Sequence, residues 1–599
     1  MSKMFASRAP ALLLATLLGC SSPSGHTRPV EGGTGGDEPT GGSVGSGGMS
    51  ARDAAVGTGG SVGTGGSVGT GGKTTDAGAD VPEQPPPKLD ARPASDAGRP
   101  DVGPGPYSTW VYPGPDGRLQ YKKDPKGNQV PDFSNAGYGG GGVALPVVPT
   151  KMTLSPEPAG DDGARIQAAL DAMGALPADE NGIRGALLLK KGSYRIAGVI
   201  TVNKSGVVLR GEGQGTDGTV LIATGAVQRS LVLVQGAGGL AEVAGSRRSI
   251  TDEYVPVGAR TFHVDDASGF KVGDTVVVHR PSTQEWIDLL GMDACGAVGT
   301  SYDTADVNGS TCLDNPWSPG SKDLKLDRII TAIAGNAITI DAPIVNALEK
   351  IFGGGSIYKY TAPGRISQVG VENLRGDSEY TSPTDEMHGW NFILFQRVVN
   401  GWVRDITSIH YGYSAVNINN DSKWVTVQDS TCLDPISMIT GGRRYSFNTD
   451  NSQMVLFQRC LSVEGRHDFV EGSNVPGPNV FLDSKATMSH ADTGPHHRWS
   501  AGGLFDNITT SNQINVRNRG NSGTGHGWAG ANMVVWNSTA SSMLIDNPPG
   551  AQSWSIGCKG TQTGAGIRDS VGTPVWPPSL YRQQLLDRLG PDAVQALER

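Results

Sequence analysis

The sequence of 599 residues contains few cysteines, few aromatic residues and almost no long apolar runs. None of its six cysteines forms a Cys-x-x-Cys pair, which excludes a structural zinc site of the usual kind. Beyond the first twenty residues, no apolar run reaches the length of a membrane-spanning helix. The formal net charge is −9, and we expect no nucleic-acid partner. Glycine, in contrast, is abundant, with 87 residues.

The first twenty residues have the pattern of a short export signal. Lys3 and Arg8 precede an apolar run at 11–18 that is too short to span a membrane permanently. The segment 17–20, Leu-Leu-Gly-Cys, resembles a bacterial lipobox, and this resemblance implies cleavage before Cys20 and lipidation of its thiol. We therefore predict a lipoprotein signal peptide at 1–19 and an exported protein, anchored to the outer membrane or cell surface of a Gram-negative bacterium.

Residues 20–105 predict a tether rather than a domain. Gly, Ser, Thr, Pro and Asp dominate this segment, and it has almost no large apolar side chains. Such a composition cannot bury enough surface to offset the entropy lost on ordering. We expect the folded part of the protein to begin near residue 106.

Five cysteines remain in this exported chain once Cys20 is set aside, so at least one of them is unpaired. Cys295 and Cys312 lie in one loop rich in Gly and Asn and are the best candidates for a disulfide. Cys432 and Cys460 lie 28 positions apart, which leaves open a bridge between neighbouring coils or two buried free thiols.

The folded part predicts an all-β protein with a few short helices. A capping acid followed by apolar residues at helical spacing predicts one helix at 161–173. Short β-rich runs follow at 185–190, 199–202 and 207–209, and their close spacing argues against alternating βαβ units. Later β-rich runs are each followed by a small or polar residue that suits a strand-ending turn, namely Asp429, Asp483, Asn507 and Asn537.

These elements resemble the pectate-lyase-like right-handed parallel β-helix family. The helix reading Ile-Gln-Ala-Ala, the Leu-Leu-Leu strand, the Gly-Ser-Tyr turn and the following Val-Val-Leu-Arg-Gly-Glu-Gly resemble its opening. Residues 110–138 resemble the segment that precedes the β-helix in bacterial polysaccharide lyases. The resemblance implies a single-stranded right-handed parallel β-helix, a solenoid built by one chain.

The sequence divides the predicted solenoid into four parts. An N-terminal segment and the first coils occupy 106–247, and β-rich runs with a hairpin-like pattern predict a small antiparallel β insert at 248–345. The main β-helix follows at 346–575, and an amphipathic helix within 576–599 caps or flanks the last coil.

One local pattern occurs four times between residues 440 and 530, and we call it the basic ladder. Each occurrence has a turn residue, then basic residues, then an aromatic residue. The four segments are 442–445, 465–469, 495–499 and 525–528. Their aromatic residues are 24, 30 and 29 positions apart, a period typical of a solenoid. Because equal registers stack on one face of a solenoid, we expect a cationic, ring-lined stripe that suits an extended anionic ligand.

The residue types of the basic ladder match the requirements of β-elimination on a uronic acid polymer. This reaction needs a cation beside the sugar carboxylate, a base for the C5 proton and an acid for the leaving O4. We assign the cation to Arg498 or Arg444, the base to His467 or His497, and the acid to Tyr445. We expect Arg443, Arg466, His496 and His526 to bind neighbouring anionic groups, and Trp499 and Trp528 to stack on sugar rings.

Two other functions stay open from the sequence alone. The triplets at 448–450 and 525–527 resemble two motifs of polygalacturonase-type glycoside hydrolases, but the further carboxylates that hydrolysis needs are absent from the neighbouring segments. A non-catalytic glycan-binding adhesin would also use aromatic and cationic residues. Calcium is a possible cofactor for which the sequence gives no ligand set. We expect a monomer that acts on an anionic polysaccharide and meets the membrane through its lipid anchor alone.

Overall fold

The computed structural model describes residues 105–293 and 315–598, which form a right-handed parallel β-helix with an antiparallel β insert. Successive coils add strands to three parallel sheets, although not every coil has a strand in the third sheet. Cys20, Cys295 and Cys312 lie outside the described residues, so the predicted lipidation and disulfide stay predictions. None of the helices in the described ranges is long and apolar enough to cross a membrane.

The first and second sheets are joined where two long strands bend from one sheet into the other. These two strands are Ile366–Ser378 and Val398–Ile409. The other strands of the first sheet are Thr150–Leu154, Gly185–Leu189, Val207–Arg210, Lys423–Gln428, Gln453–Gln458, Asn479–Leu482, Gly503–Asp506, Val534–Trp536, Trp554–Ile556 and Ile567–Asp569. The other strands of the second sheet are Gly192–Ile196, Thr219–Ala223, Thr431–Leu433, Leu461–Val463, Lys485–Thr487, Thr509–Thr510, Gln513–Val516, Thr539–Ile545 and Lys559–Thr563.

The third sheet is shorter and carries most of the basic ladder. Its seven strands are Ile200–Val202, Arg229–Gln235, Gly389–Gln396, Ser414–Asn419, Tyr445–Thr449, His467–Glu471 and Gly494–Pro495. Two further strands, Ser500–Ala501 and Gly530–Ala531, pair in parallel on the following coils. Because all these strands are parallel, residues at equal positions on successive coils lie side by side.

The polar residues that follow strands of the first sheet lie at the corner where the chain turns toward the second sheet. Asp429, Asp483, Asn507 and Asn537 have φ values of 50°, 46°, 57° and 45°, which lie in the left-handed region. Asp and Asn tolerate this conformation better than most residues do. The prediction of strand-ending turns at these four positions is confirmed.

Apolar side chains fill the inside of the solenoid in stacks. Phe481 lies between Phe457 and Phe505, with ring centroids 4.9 and 5.0 Å apart and nearly parallel planes. Such pairs contribute about 0.5–1.5 kcal/mol each beyond the area they bury. Cys432 and Cys460 lie in the same core as free thiols, as does Cys558, so the alternative of a bridge between the first two is wrong.

Short helices and the N-terminal segment cover the end and one side of the solenoid. The helix Gly163–Ala175 packs Ile166, Leu170 and Met173 on the first coil. The helix Leu580–Leu589, followed by Pro591–Ala596, packs with the hairpin Val111–Pro113 and Leu119–Tyr121 on the outer side of the first sheet. The C-terminal helix therefore flanks the coils rather than capping the last one.

The insert is built of antiparallel strands that reach beyond both ends of the range 248–345 expected from the sequence. Seven strands form one sheet, namely Ala241–Glu242, Arg248–Ser249, Thr261–His263, Thr275–Arg280, Leu324–Ala334, Ala337–Ile340 and Ser356–Thr361. The strands Tyr254–Val255 and Leu348–Glu349 pair in a separate two-stranded sheet. The helix Gln284–Leu290 belongs to the same unit. Apolar residues of the insert share one core with Trp499, Ala501 and Ala531 of the β-helix, so the insert adjoins the basic ladder.

Candidate functional site

Parallel register brings the ring side chains of the basic ladder together beside the third sheet. Tyr445 is paired with His467 on the next coil, where each residue begins its strand. The strand Gly494–Pro495 follows on the next coil and places His496 directly after it. These segments stack on successive coils, but their register differs from the one that the aromatic spacing predicts, because Tyr445 pairs with His467 and Phe469 pairs with Phe447 in the core.

Five rings form a continuous cluster, which we call the histidine cluster. Its members are Tyr445, His467, His496, His497 and His526. The His467 and His496 ring centroids lie 4.3 Å apart, and each lies 5.0 Å from the centroid of Tyr445. His526 lies 4.9 Å from His496 and 5.2 Å from His497. Tyr445 and His467 are 2% exposed, whereas His497 is only partly buried, so the cluster runs from a buried floor to an accessible edge.

His467 is held by an acid that the sequence interpretation did not assign. Its Nδ1 lies 2.6 Å from the carbonyl oxygen of Asp492 and 3.3 Å from Oδ1 of the same residue. The Asp492 carboxylate also pairs with the buried Arg519. This arrangement assigns the proton of neutral His467 to Nδ1 and leaves a lone pair on Nε2.

The four histidines of the cluster are neutral at neutral pH. Burial lowers the pKa of His497 to about 4 and that of His526 to about 2, and neighbouring cationic groups act in the same direction. Burial also lowers the pKa of His467 and lowers that of His496 far below its usual range. Tyr445 shows the opposite effect, because burial raises its pKa and keeps the phenol protonated. The cluster thus combines neutral bases with a proton donor.

Each histidine of the cluster has a buried ring nitrogen for which the described residues provide no hydrogen-bond partner. These atoms are Nε2 of His467 and Nδ1 of His496, His497 and His526. Buried polar atoms are nearly always hydrogen-bonded, so four exceptions in one place indicate a functional site. Within the described ranges, no group of three or more His, Cys, Asp or Glu side chains is arranged to hold a metal ion, and we name no calcium ligands.

The predicted arginines surround the cluster but differ in accessibility. Arg498 is partly exposed, and its Nη2 donates to the carbonyl oxygen of Thr524 at 3.1 Å. Arg466 is also partly exposed and donates to the carbonyl oxygen of Gly441. Arg443 binds the Glu386 carboxylate through Nε at 2.6 Å and Nη2 at 3.0 Å.

Arg444 is 6% exposed and donates to the carbonyl oxygen of Ser437 at 2.8 Å. It therefore ties a loop to the third sheet, and of the two candidates for the cation beside the sugar carboxylate, Arg498 is the accessible one.

The two tryptophans do not form the sugar-binding surface that the sequence predicts. Trp499 is 1% exposed, its Nε1 donates to Asn346 at 3.0 Å, and its ring packs against Trp286 and Trp317 of the insert. Trp528 is partly buried and donates to the carbonyl oxygen of Leu290. Both residues join the β-helix to the insert, and the predicted stacking of Trp499 on a sugar is wrong because the insert covers its ring.

Carboxylates near the cluster are few. Asp468 and Glu471 are fully buried, and burial raises the pKa of Glu471 to about 7. Asp492 is held by Arg519. Asp450 is partly exposed and accepts hydrogen bonds from the Asn448 side chain and the Ser473 backbone, both at 2.7 Å. The site therefore offers one accessible carboxylate rather than a pair.

Partly exposed rings continue the site toward earlier coils. Tyr413 lies 5.2 Å from Tyr445, and Trp390 lies 6.1 Å from Tyr413. Neither ring was assigned from the sequence. The signal was present, because each residue lies at the start of, or just before, a strand of the third sheet, as Tyr445 does.

Comparisons with known proteins find similarity to solved structures alone. No family model and no curated protein matches the chain. Among solved structures, the chain is similar to the tailspike protein gp49 from Pseudomonas phage LKA1, with 15% identity and a TM-score of 0.39 over 66% of this chain and 56% of that protein. It is also similar to the alginate lyase from Paenibacillus sp. str. FPU-7, with 8% identity and a TM-score of 0.34, over 70% of this chain and 97% of the lyase.

A third similar structure is the polygalacturonase from Erwinia carotovora, with 10% identity and a TM-score of 0.31, over 71% of this chain and 96% of the enzyme. The chain spans just over half the length of the phage tailspike that it matches. All three TM-scores are low, so the assignment of the β-helix rests on the strand register of the chain itself.

Proposed function

We propose that the protein is a polysaccharide lyase that cleaves an anionic, uronic-acid-containing polymer by β-elimination. The observation that carries this proposal is the histidine cluster: neutral histidines and a protonated tyrosine lie in contact beside partly exposed arginines. This set supplies the base, the acid and the cation that the reaction needs.

The proposed reaction uses these groups in one elimination step. Arg498 neutralises the uronate carboxylate, which favours loss of the C5 proton. His497 accepts this proton, since it adjoins Arg498 in the sequence and is the partly exposed histidine of the cluster. The C5–H electron pair forms the C4=C5 double bond, the C4–O4 bond breaks, and Tyr445 protonates O4. The ring of His496 contacts both Tyr445 and His497 and joins the acid to the base.

Hydrolysis is the second candidate and is less well supported. A glycoside hydrolase of the usual type needs two carboxyl groups on opposite sides of the scissile bond. Among the described carboxylates near the cluster, Asp450 is the one that is partly exposed and not bound by an arginine, because Glu386 is bound by Arg443, Asp492 is bound by Arg519, and Asp468 and Glu471 are buried. A glycan-binding surface protein would use the same cations and would hydrogen-bond sugar hydroxyls through the histidines, so formation of product is what distinguishes it from a lyase.

The place of action is a further part of the proposal. We propose that lipidation of Cys20 anchors the protein to the outer membrane and that the tether at 20–105 lets it act on polymers outside the cell. Metabolic labelling with a radioactive fatty acid, compared between the wild type and the Cys20→Ala variant, tests this anchor.

The test of the reaction is ultraviolet absorbance of the unsaturated uronate product while the full chain is incubated with polyuronates and glycosaminoglycans, with and without calcium. We expect an absorbance rise on at least one anionic polymer. New reducing ends without that rise would replace the lyase by a hydrolase. Binding without cleavage, and without exchange of the C5 proton for solvent deuterium, would leave a binding protein.

A further inference from the structure

We propose that Lys322, carried by the antiparallel insert, and Arg498, carried by the β-helix, together bind one anionic group of the polysaccharide, either a carboxylate or a sulfate. This inference rests on the proposed function and adds to it a binding residue from the insert. It also gives the insert a role in selecting the substrate.

Lys322 is held in a fixed place by the loop that precedes the strand Leu324–Ala334. Its backbone N–H donates to Oγ of Ser282 at 3.0 Å, and the N–H of Gly320 donates to the carbonyl oxygen of Ser282 at 2.9 Å. The ammonium lies 5.4 Å from the ring centroid of Trp317, which itself packs on Trp499 of the β-helix. The lysine is thus positioned by the contact between the insert and the ladder.

Asn474 connects the Lys322 loop to the coil that carries Arg498. Its side-chain Nδ2 donates to the carbonyl oxygen of Ser321 at 3.1 Å. Its backbone N–H donates to the carbonyl oxygen of Arg498 at 3.2 Å. The backbone next to Lys322 and the backbone of Arg498 are therefore held close together, and the positive charge of Arg498 lowers the pKa of Lys322, which indicates that the two cationic groups are neighbours.

The ammonium of Lys322 lacks a counter-ion among the described residues. The residue is 9% exposed, and the one acceptor for its Nζ is the carbonyl oxygen of Ser321, at 3.1 Å. The neighbouring Asp323 does not pair with Lys322. Its carboxylate binds Nε2 of His279 at 2.7 Å and accepts a hydrogen bond from the backbone N–H of Ser282 at 2.7 Å. A buried ammonium with three donors and no carboxylate is costly unless a ligand supplies the missing acceptors.

The charge state of this lysine gives the site a measurable signature. Burial, and then the positive charge of Arg498, lower the pKa of Lys322 to about 8. Nearby His497 and His526 stay neutral above pH 7, because the pKa values of both lie at about 4 or below. Between pH 7 and pH 9, Lys322 therefore loses its proton while these neighbours do not change, and the affinity for an anionic polymer should fall.

The test is a binding titration of the full chain with polygalacturonate, which carries carboxylates, and with a sulfated galactan that has no uronate. A carboxyl-reduced polygalacturonate is the neutral reference. We expect Lys322→Met to weaken binding of one or both charged polymers about tenfold, the effect of one charge-assisted hydrogen bond. Lys325→Met, an exposed lysine on the adjoining strand, is the matched control and should bind as the wild type does.

The Lys322→Arg variant separates a charge effect from a folding effect. Arginine keeps its charge at pH 9, so the variant should retain at pH 9 the affinity that the wild type loses. Wild-type affinity in Lys322→Met, an equal loss for charged and carboxyl-reduced polymer, or a pH profile in Lys322→Arg that matches the wild type would each overturn the proposal. So would a wild type that binds neither polyanion.

This test also distinguishes the two proposals from each other. Binding that depends on Lys322, without unsaturated product, would support the anion site and refute the lyase reaction. Unsaturated product, with binding that is independent of Lys322, would refute the anion site alone.

Discussion

Glu372 on the first sheet and the histidine cluster beside the third sheet differ in whether their buried polar atoms find partners within the protein. On the first sheet, the fully buried Glu372 accepts hydrogen bonds from Arg404 at 2.7 Å and Trp402 at 3.0 Å, and it also pairs with Arg210. On the third sheet, four histidines each keep a buried nitrogen without a partner among the described residues. The Glu372 carboxylate thus has all its partners within the protein, whereas the histidine nitrogens remain able to hydrogen-bond a ligand.

The difference follows from what covers each sheet. The N-terminal segment closes the first sheet, with Tyr138 packed edge-to-face on Trp402 at 5.6 Å. The third sheet has the insert at one end, and His497 and Arg498 stay partly exposed there. Polar groups on the first sheet therefore stabilise the fold, and those on the third sheet are expected to act on a substrate.

The largest expected effect comes from replacing the Glu372 carboxylate on the first sheet. Glu372→Gln leaves Arg210 and Arg404 without their carboxylate, so the free energy of unfolding should fall by about 3–5 kcal/mol. Urea denaturation measures this loss. The matched control is Glu379→Gln, whose carboxylate pairs with Arg195 in a roughly half-exposed position and should cost about 1 kcal/mol or less. Equal losses in both variants would show that the Glu372 network is not structural.

The second prediction concerns Arg498 beside the third sheet. Arg498→Ala should lower kcat by about 10²–10³-fold, because it removes the group that stabilises the charge developing on the uronate. The free energy of unfolding should change much less than in Glu372→Gln, since the Arg498 side chain is partly exposed. Steady-state rates on the cleaved polymer measure the effect. Arg443→Ala, which removes a side chain already paired with Glu386, should lose much less; a comparable loss would contradict these two roles.

The smallest expected effect is the pH dependence of stability that His497 causes. The pKa of His497 in the folded state is about 4, below its unfolded value of about 6.5. As the pH falls from 6.5 to 4, His497 takes up a proton in the unfolded chain but stays neutral in the folded protein. The free energy of unfolding that is present above pH 6.5 therefore decreases toward pH 4. Relative to His497→Gln, the wild type should lose at most about 1.4 kcal/mol per pH unit in this window. Parallel stability curves for the two proteins would show that the His497 ring is not buried in the folded state.

The sequence predicted the repeating parts of the structure well because they depend on local spacing. The corner residues Asp429, Asp483, Asn507 and Asn537 follow the strands as expected. The basic segments lie on successive coils, although Tyr445 pairs with His467 and not with the next aromatic residue, Phe469. These features need only the length of a coil and the preference of Asp and Asn for left-handed turns.

Contacts between distant segments could not be predicted in the same way. Trp499 packs on Trp286 and Trp317, which precede it by about 200 residues, so its sequence pattern alone suggested an exposed ring. The Asp492 that holds His467 lies in a turn 25 residues later, with no motif to mark it. The two-residue strands Ala241–Glu242 and Leu348–Glu349 are too short for an alternating pattern, and Ser356–Thr361 pairs with strands about 80 residues earlier, which explains the missed edges of the insert.

Catalysis on the third sheet is tested most sharply by the rate of unsaturated product formation in Arg498→Ala and Glu372→Gln, each expressed per folded molecule and measured on the same polymer. We expect Arg498→Ala to lose at least about 100-fold relative to the wild type. We also expect Glu372→Gln to keep the wild-type rate at temperatures where it remains folded. Equal rates in the two variants, or a larger loss in Glu372→Gln, would contradict the assignment of catalysis to the third sheet.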